Sequence, residues 1–111
     1  MKEVPYKIIF AIINNEDINK IIDILNSKEH SVTKLCSTGG FLRSGNSTLV
    51  IGIDDNEVES VIEILRDNSK KRTKSVQLPN PAGTVSPPLT KKINVGGATI
   101  FVVSVDQYKK V

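Results

Sequence analysis

The chain has 111 residues, 39% of them apolar and 24% charged, which is the balance of one ordinary soluble globular domain with a single hydrophobic core. The lone cysteine, Cys36, excludes an internal disulfide and a multi-cysteine metal site, and it fits a reducing compartment. The net charge of +3 is mildly basic, but no aromatic residue interrupts the stretch between Lys70 and Lys92, where most of the basic clusters lie. We therefore expect solvated basic faces or helix ends rather than a nucleic-acid site.

The first predicted element is a strand over Tyr6 to Ile13. The run is β-branched and almost continuously apolar, as in a central strand buried on both faces. Its apolar part is too short to span a bilayer and no small-residue cleavage site follows it. We therefore expect no membrane segment, and the cytoplasm is the expected location.

A helix is predicted next. A helix cap and first-turn acids are supplied by Asn14, Asn15, Glu16 and Asp17. The apolar residues that follow recur at i, i+3, i+4 and i+7, and they are Ile18, Ile21, Ile22 and Leu25. The helix should end near residues 26–28. Val32 to Ser37 and Ser47 to Ile53 are then predicted as the second and third strands.

A second helix repeats the spacing of the first. Asp54 and Glu57 have the spacing of a capping box, and Val58, Val61, Ile62 and Leu65 mark the apolar face. The helix should end near Asn68, where Lys70, Lys71 and Arg72 would favour the negative end of its dipole.

The last part of the chain is predicted to contain a long loop and a final strand. Prolines cluster between Pro79 and Pro88, and long loops in compact domains are usually functional or disordered. Short additional strands are expected around residues 75–78 and 91–95. The final strand is predicted over Ala98 to Val105, after a Gly-Gly pair.

The order of elements predicts the fold class. Two β-α-β units with matching helices indicate an α+β, ferredoxin-like βαββαβ fold, in which an antiparallel sheet carries two helices on one face. A doubly wound parallel sheet would need more strand–helix alternations. We expect one domain over residues 1–111, with loops at 37–47 and 79–90.

The connection between the second and third strands is the most informative segment for function. Gly39 and Gly40 break the β pattern, and the apolar pair Phe41 and Leu42 stands where a polar loop is expected. Hydrogen-bonding side chains flank the pair, among them Thr33 and Asn46. Backbone freedom, apolar cover and polar donors together suit a small, flat, polar ligand such as a nucleotide.

No positive argument for catalysis emerges. His30 is the only histidine, and at a helix-to-strand junction it is best explained as an exposed polar turn residue. Cys36 would need a base within hydrogen-bond reach, and a small buried strand residue is the simpler interpretation. The carboxylates concentrate at helix starts and on exposed helical faces. No catalytic or metal residue is predicted.

Two segments carry a family resemblance. The residues from Thr33 to Asn46, and those from Val95 to Asp106, closely resemble the PII-like cyclic di-AMP receptor proteins, and the likeness extends in register from about Lys7 to the C-terminus. The resemblance implies the ferredoxin-like fold reached above. It also implies a homotrimer that binds cyclic di-AMP in the clefts between subunits and acts in signal transduction, without an enzymatic activity or a further cofactor. A downstream partner protein is implied but not identified.

The resemblance also implies a set of ligand-binding residues. The side chains at 33 and 46 would hydrogen-bond the nucleotide, the backbone near Gly40 would donate to phosphate, and the apolar pair would pack on an adenine face. The last-strand Phe101 would lie near the second base, although core packing is an equal alternative. The full set is Thr33, Gly39, Gly40, Phe41, Leu42, Asn46, Gly52 and Phe101.

The chain departs from the family at two positions of the ligand shell. Ser31 stands where a basic residue is common, and Lys110 where a glutamine is common, so a planar fork of donors is missing at position 31. Two alternatives follow. One is a divergent paralogue that binds another adenine nucleotide. The other is a nucleotide-independent trimeric scaffold with Phe41 and Leu42 as a protein contact.

Overall fold

The computed structural model describes residues 6–35, 45–78 and 89–111. A short 3₁₀ turn, Asp55–Glu57, precedes the second helix. The helices and strands are β1 (Tyr6–Asn14), α1 (Asn15–Ser27), β2 (Ser31–Leu35), β3 (Asn46–Asp54), α2 (Val58–Asp67), β4 (Arg72–Leu78), β5 (Leu89–Val95) and β6 (Ala98–Ser104).

Four strands form the main sheet in the order β2-β3-β1-β6, and every neighbouring pair is antiparallel. The predicted α+β, ferredoxin-like arrangement is therefore confirmed. The two additional strands also exist, but β4 and β5 pair only with each other in the sheets described, as a separate antiparallel ribbon. We call this ribbon, residues 72–78 and 89–95, the arm.

The helix-covered face of the sheet holds an aliphatic core. Both predicted helix spacings are confirmed, because α1 and α2 bury the residues that the pattern selected, apart from Ile22 and Ile62, which pack against the core at its margin. The sheet contributes alternate residues of β1 and β3, as expected for strands with one covered face. The fully buried large side chains are Ile9, Ile13, Ile18, Ile21, Leu25, Leu49, Ile51, Leu65 and Val61.

Within the described residues, the other side of the main sheet carries no helix, and we call it the open face. The prediction that β1 is buried on both faces is wrong for the isolated chain: Ile9, Ala11 and Ile13 are fully buried, whereas Ile8 and the other alternate residues are half-buried. Both described helices lie on one side, so the fully buried residues of β1 face that side. The open face consists of Ile8, Phe10, Ile12, Ser31, Thr33, Leu35, Thr48, Val50, Gly52, Thr99, Phe101 and Val103.

The two helix starts differ. The side chain of Asn14 caps α1 by accepting a hydrogen bond from the backbone N–H of Glu16 at 2.9 Å, as predicted. The predicted capping box at α2 is wrong, because the 3₁₀ turn displaces the helix start to Val58. Asp54 and Glu57 therefore do not occupy the capping-box positions of α2, and neither makes a side-chain cap hydrogen bond.

Candidate functional site

Half of the predicted ligand-binding set lies outside the described residues. Gly39, Gly40, Phe41 and Leu42 all belong to the gap between β2 and β3, as does Cys36. Their roles stay predictions. The remaining predicted residues, Thr33, Asn46, Gly52 and Phe101, lie on or beside the open face.

Thr33 and Phe101 lie in one row across the open face. Thr33 pairs with Val50, Val50 pairs with Phe10, and Phe10 pairs with Phe101. The row spans all four strands, so its two ends are about 14 Å apart at the usual strand spacing. Phe101 is 54% exposed, so it lies outside the helix-covered core. Its aromatic face is open to a ligand or to another subunit.

Gly52 lies in the next row, between Ser31 and Ile8. A side chain at position 52 would collide with the hydroxyl of Tyr6, so glycine is required for Tyr6 to lie across β3. The ring of Tyr6 in turn contacts Tyr108, with 5.7 Å between the ring centroids. Neither tyrosine was predicted from the sequence to belong to this face. The detectable signal was that Tyr6 shares the strand parity of Ile8, which places it on the same face.

The described aromatic side chains all lie on one side of the sheet. Tyr6, Phe10 and Phe101 belong to the open face by register, and Tyr108 reaches Tyr6 from the C-terminal segment. The buried core is entirely aliphatic. Aromatic residues are enriched where one protein surface meets another molecule, so the open face has the composition of a binding surface.

Asn46 brings the two motifs of the sequence together. It begins β3 and lines a cavity of about 120 Å³ with residues from the turn into β6. Gly96 and Gly97 in that turn have positive φ angles of 89° and 80°, which glycine adopts without strain. The cavity is lined by Ile12, Asn46, Gly96, Gly97, Ala98 and Thr99. The two segments that carry the family resemblance, residues 33–46 and 95–106, thus meet at this end of the sheet.

The predicted residues nevertheless fall into two groups within one chain. Asn46 lies at one end of β3, and Gly52 lies six residues further along the strand. At the usual rise of a strand this separates them by about 20 Å. Thr33, Gly52 and Phe101 share two adjacent rows, whereas Asn46 belongs with the glycine turn before β6.

Comparison with known proteins identifies the family. A family model described as cyclic-di-AMP receptor matches residues 6–111. The chain belongs to the cyclic-di-AMP receptor family. It is also similar to a crystal structure described as a functionally unknown protein from Pediococcus pentosaceus ATCC 25745, with 36% sequence identity and a TM-score of 0.73. The match covers 97% of this chain and 99% of that one.

Membership of a receptor family favours a binding role over catalysis. His30 lies at the turn between α1 and β2, as expected, but it is half-buried rather than exposed, and its backbone N–H donates to the carbonyl of Leu25 at 3.0 Å. Among the described residues, no group of three or more His, Cys, Asp or Glu side chains is arranged to hold a metal ion. Within the same residues, no helix is long and apolar enough to cross a membrane.

Several ion pairs of this receptor-family chain lie at the base of the arm. Arg72 forms a two-pronged ion pair with Asp17 at 3.0 and 3.2 Å, and also reaches Glu16 at 3.3 Å. Lys74 binds the same Glu16. The prediction that Arg72 serves the C-terminal end of α2 is wrong, because Arg72 begins β4 and turns towards α1.

These contacts shift two pKa values. The hydrogen bond and charge of Lys74, with Arg72, hold the pKa of Glu16 below its ordinary value. The hydrogen bond and charge of Asp17, with Glu16, raise the pKa of Arg72. Both shifts favour the charged forms of Glu16 and Arg72.

Proposed function

We propose that this chain binds cyclic di-AMP in clefts between the subunits of a homotrimer, and that binding reorders the loops at 37–47 and 79–90 to present a changed surface to a partner protein. The proposal that cyclic di-AMP is the ligand rests on the family match over residues 6–111. The geometry of the open face supports the assembly. The proposed ligand set is the one predicted from the sequence.

The open face supports association with further copies of the chain. Leu35, Phe101 and Val103 are 47%, 54% and 46% exposed, and they share this face with the half-buried Phe10 and Val50. Apolar area removed from water stabilises by about 25 cal/mol per Å². A second copy that covers this face would remove these apolar side chains from water. Their presence on an exposed face would then be explained by burial on association.

The separation of the predicted residues supports a site between subunits. Asn46 with its glycine turn and Gly52 with its row lie about 20 Å apart along one strand. A small ligand that contacts both groups does so most simply when each group comes from a different subunit. The isolated chain then carries two incomplete halves of a site.

The chemistry of each half suits an adenine dinucleotide. The exposed ring of Phe101 offers a face on which a base can stack, worth about 1–3 kcal/mol per base. The amide of Asn46 offers both donors and an acceptor for a base edge, and the hydroxyl of Thr33 offers both for the ribose-phosphate ring. Phosphate contacts are assigned to the backbone near Gly40.

A different adenine nucleotide is the second candidate, and one observation favours it. Ser31 is exposed in the row of Gly52, so the position where the family commonly has a basic side chain holds only a hydroxyl. Serine cannot replace a planar, charged fork of donors. Under this alternative, Ser31→Arg should create or greatly improve cyclic di-AMP affinity, and an unchanged affinity would argue against it.

Thermal melting with a nucleotide panel tests the proposal. Cyclic di-AMP, cyclic di-GMP, ATP and AMP are compared at tens of micromolar, and a ligand at 100 times its dissociation constant stabilises by about 2.7 kcal/mol. We expect a shift with cyclic di-AMP that Phe101→Ala reduces. Val102→Ala is the matched control, since Val102 is 44% exposed on the opposite face of β6. No shift with cyclic di-AMP would contradict the proposal.

A further inference from the structure

The arm leaves the body of the molecule and returns to it through two neighbouring segments. β4 begins at Arg72, after a short connection that follows the end of α2 at Asp67, and β5 leads through Gly96 and Gly97 into β6. The molecule measures 68 × 27 × 20 Å, so its long dimension far exceeds that of a compact body of this length. Small changes of angle at the base are therefore amplified along the arm.

Four charged side chains fasten the first of these segments to α1. We call Glu16, Asp17, Arg72 and Lys74 the clasp. Asp17 is 3% exposed. Its carboxylate accepts hydrogen bonds from Nη2 and Nη1 of Arg72 at 3.0 and 3.2 Å. A bidentate guanidinium–carboxylate pair fixes direction as well as distance, because two parallel hydrogen bonds share one plane. The clasp therefore sets the angle at which β4 leaves the body.

The same guanidinium lies beside the second segment. A Cβ at Gly96 would lie 2.8 Å from Nη1 of Arg72 and would collide with the carbonyl oxygen of Lys70, which itself accepts a hydrogen bond from Arg72 at 3.1 Å. The backbone N–H of Gly97 donates to the carbonyl of Ser69. Arg72 therefore binds α1 and lies next to the glycine turn, where an added Cβ would reach it.

The glycine turn is one wall of the cavity that Asn46 lines. Gly96 and Gly97 border this space of about 120 Å³, while Arg72 and Asp17 do not. We propose that Arg72, held by Asp17, is a positioning residue for ligand binding. It fixes the glycine turn against Asn46 without touching the ligand, and it links the arm to that cavity. The proposal rests on the function proposed above.

The geometry distinguishes positioning from simple stabilisation. The side chain of Arg72 is 41% exposed, so solvent screens part of the ion pair and reduces its net contribution to the free energy of unfolding. The carboxylate of Asp17 is nevertheless almost fully buried at the start of α1, on an element that the core holds rigidly. A rigidly held carboxylate with a bidentate guanidinium partner is suited to controlling the angle at which β4 leaves the body.

The test measures the turn and the ligand separately. Hydrogen exchange of the Gly97 amide, followed by NMR in the free protein, reports the turn, and calorimetric titration with cyclic di-AMP reports affinity. For Asp17→Asn and Arg72→Ala we expect exchange at least tenfold faster and affinity about tenfold weaker. Lys92→Ala is the matched control, since Lys92 is an exposed cation of the arm outside the clasp, and it should change neither.

Arg72→Lys separates charge from geometry. Lysine keeps the positive charge but loses the fork, so its affinity should stay close to that of Arg72→Ala if direction matters. Wild-type affinity in Arg72→Lys would overturn the proposal, as would faster exchange at Gly97 with unchanged affinity in Asp17→Asn. If the wild-type protein binds no nucleotide, the proposed function fails. The exchange measurement then tests only whether the clasp fixes the glycine turn. Unchanged exchange at Gly97 in both Asp17→Asn and Arg72→Ala would overturn that role.

Discussion

Gly52 shows how a single residue shapes the open face. A Cβ at this position would collide with the hydroxyl of Tyr6, which contacts Tyr108. Gly52→Ala should destabilise the protein by about 1 kcal/mol through overpacking and separate the two rings. Urea denaturation measures the first effect. Tyrosine fluorescence measures the second, because the chain has two tyrosines and no tryptophan. In a Tyr6→Phe background the loss should shrink, and an equal loss there would contradict the contact.

Glu16 gives the clasp a defined pH dependence. Lys74 and Arg72 lower its pKa from the ordinary value of 4.5, so the folded state favours the charged carboxylate. The stabilisation is present above the ordinary pKa and is lost as pH falls through the lowered one. The stability difference between wild type and Glu16→Gln should therefore be constant near neutral pH and vanish in acid. Urea midpoints from pH 7 to pH 3 measure it. A difference that persists unchanged at pH 3, or one unaffected by Lys74→Ala, would contradict this assignment.

At the scale of elements, the cap of α1 offers the simplest test. Asn14 accepts a hydrogen bond from the N–H of Glu16, and loss of such a cap costs about 1 kcal/mol. Asn14→Ala should lower the free energy of unfolding by that amount in urea denaturation. Asn56→Ala is the comparison, since Asn56 is exposed in the 3₁₀ turn. Equal losses in the two variants would argue against the cap.

The sequence patterns predicted the helices, but they did not predict the contacts that the helices make with distant parts of the chain. The i, i+3, i+4, i+7 spacing selects the covered face because that spacing is itself the geometry of one helix face. The capping box failed at Asp54, since a 3₁₀ turn and a helix start have the same local sequence signals. The clasp was missed because Asp17 and Arg72 are 55 residues apart, and chain order carries no sign of such a contact.

The predicted site, too, could be predicted from the sequence only in part. The parity of β3 and β6 follows from the strand period of two, so the placing of Phe101 and Gly52 on one face could be derived from the sequence once the register was known. The register itself depends on long-range pairing. The meeting of Asn46 with Gly96 depends on the turn into β6, which two glycines allow but do not specify.

At the scale of the whole molecule, the open face should control assembly. Phe10 and Phe101 pair across β1 and β6 on this face, and replacing Phe101 with lysine would place a charge in the proposed apolar interface. Sedimentation should give three times 12.2 kDa for the wild-type chain and mainly single chains for Phe101→Lys. Val102→Lys, on the opposite face, should stay assembled. A wild-type chain that sediments as a monomer would contradict the proposed homotrimer.

The receptor function itself is tested most directly by calorimetric titration of the wild-type protein with cyclic di-AMP. If the two proposed half-sites of each chain are completed between copies, binding should be saturable with one nucleotide per chain at micromolar concentrations, and it should be lost together with assembly in Phe101→Lys. No heat of binding at tens of micromolar, in a protein that is folded and assembled, would contradict the account.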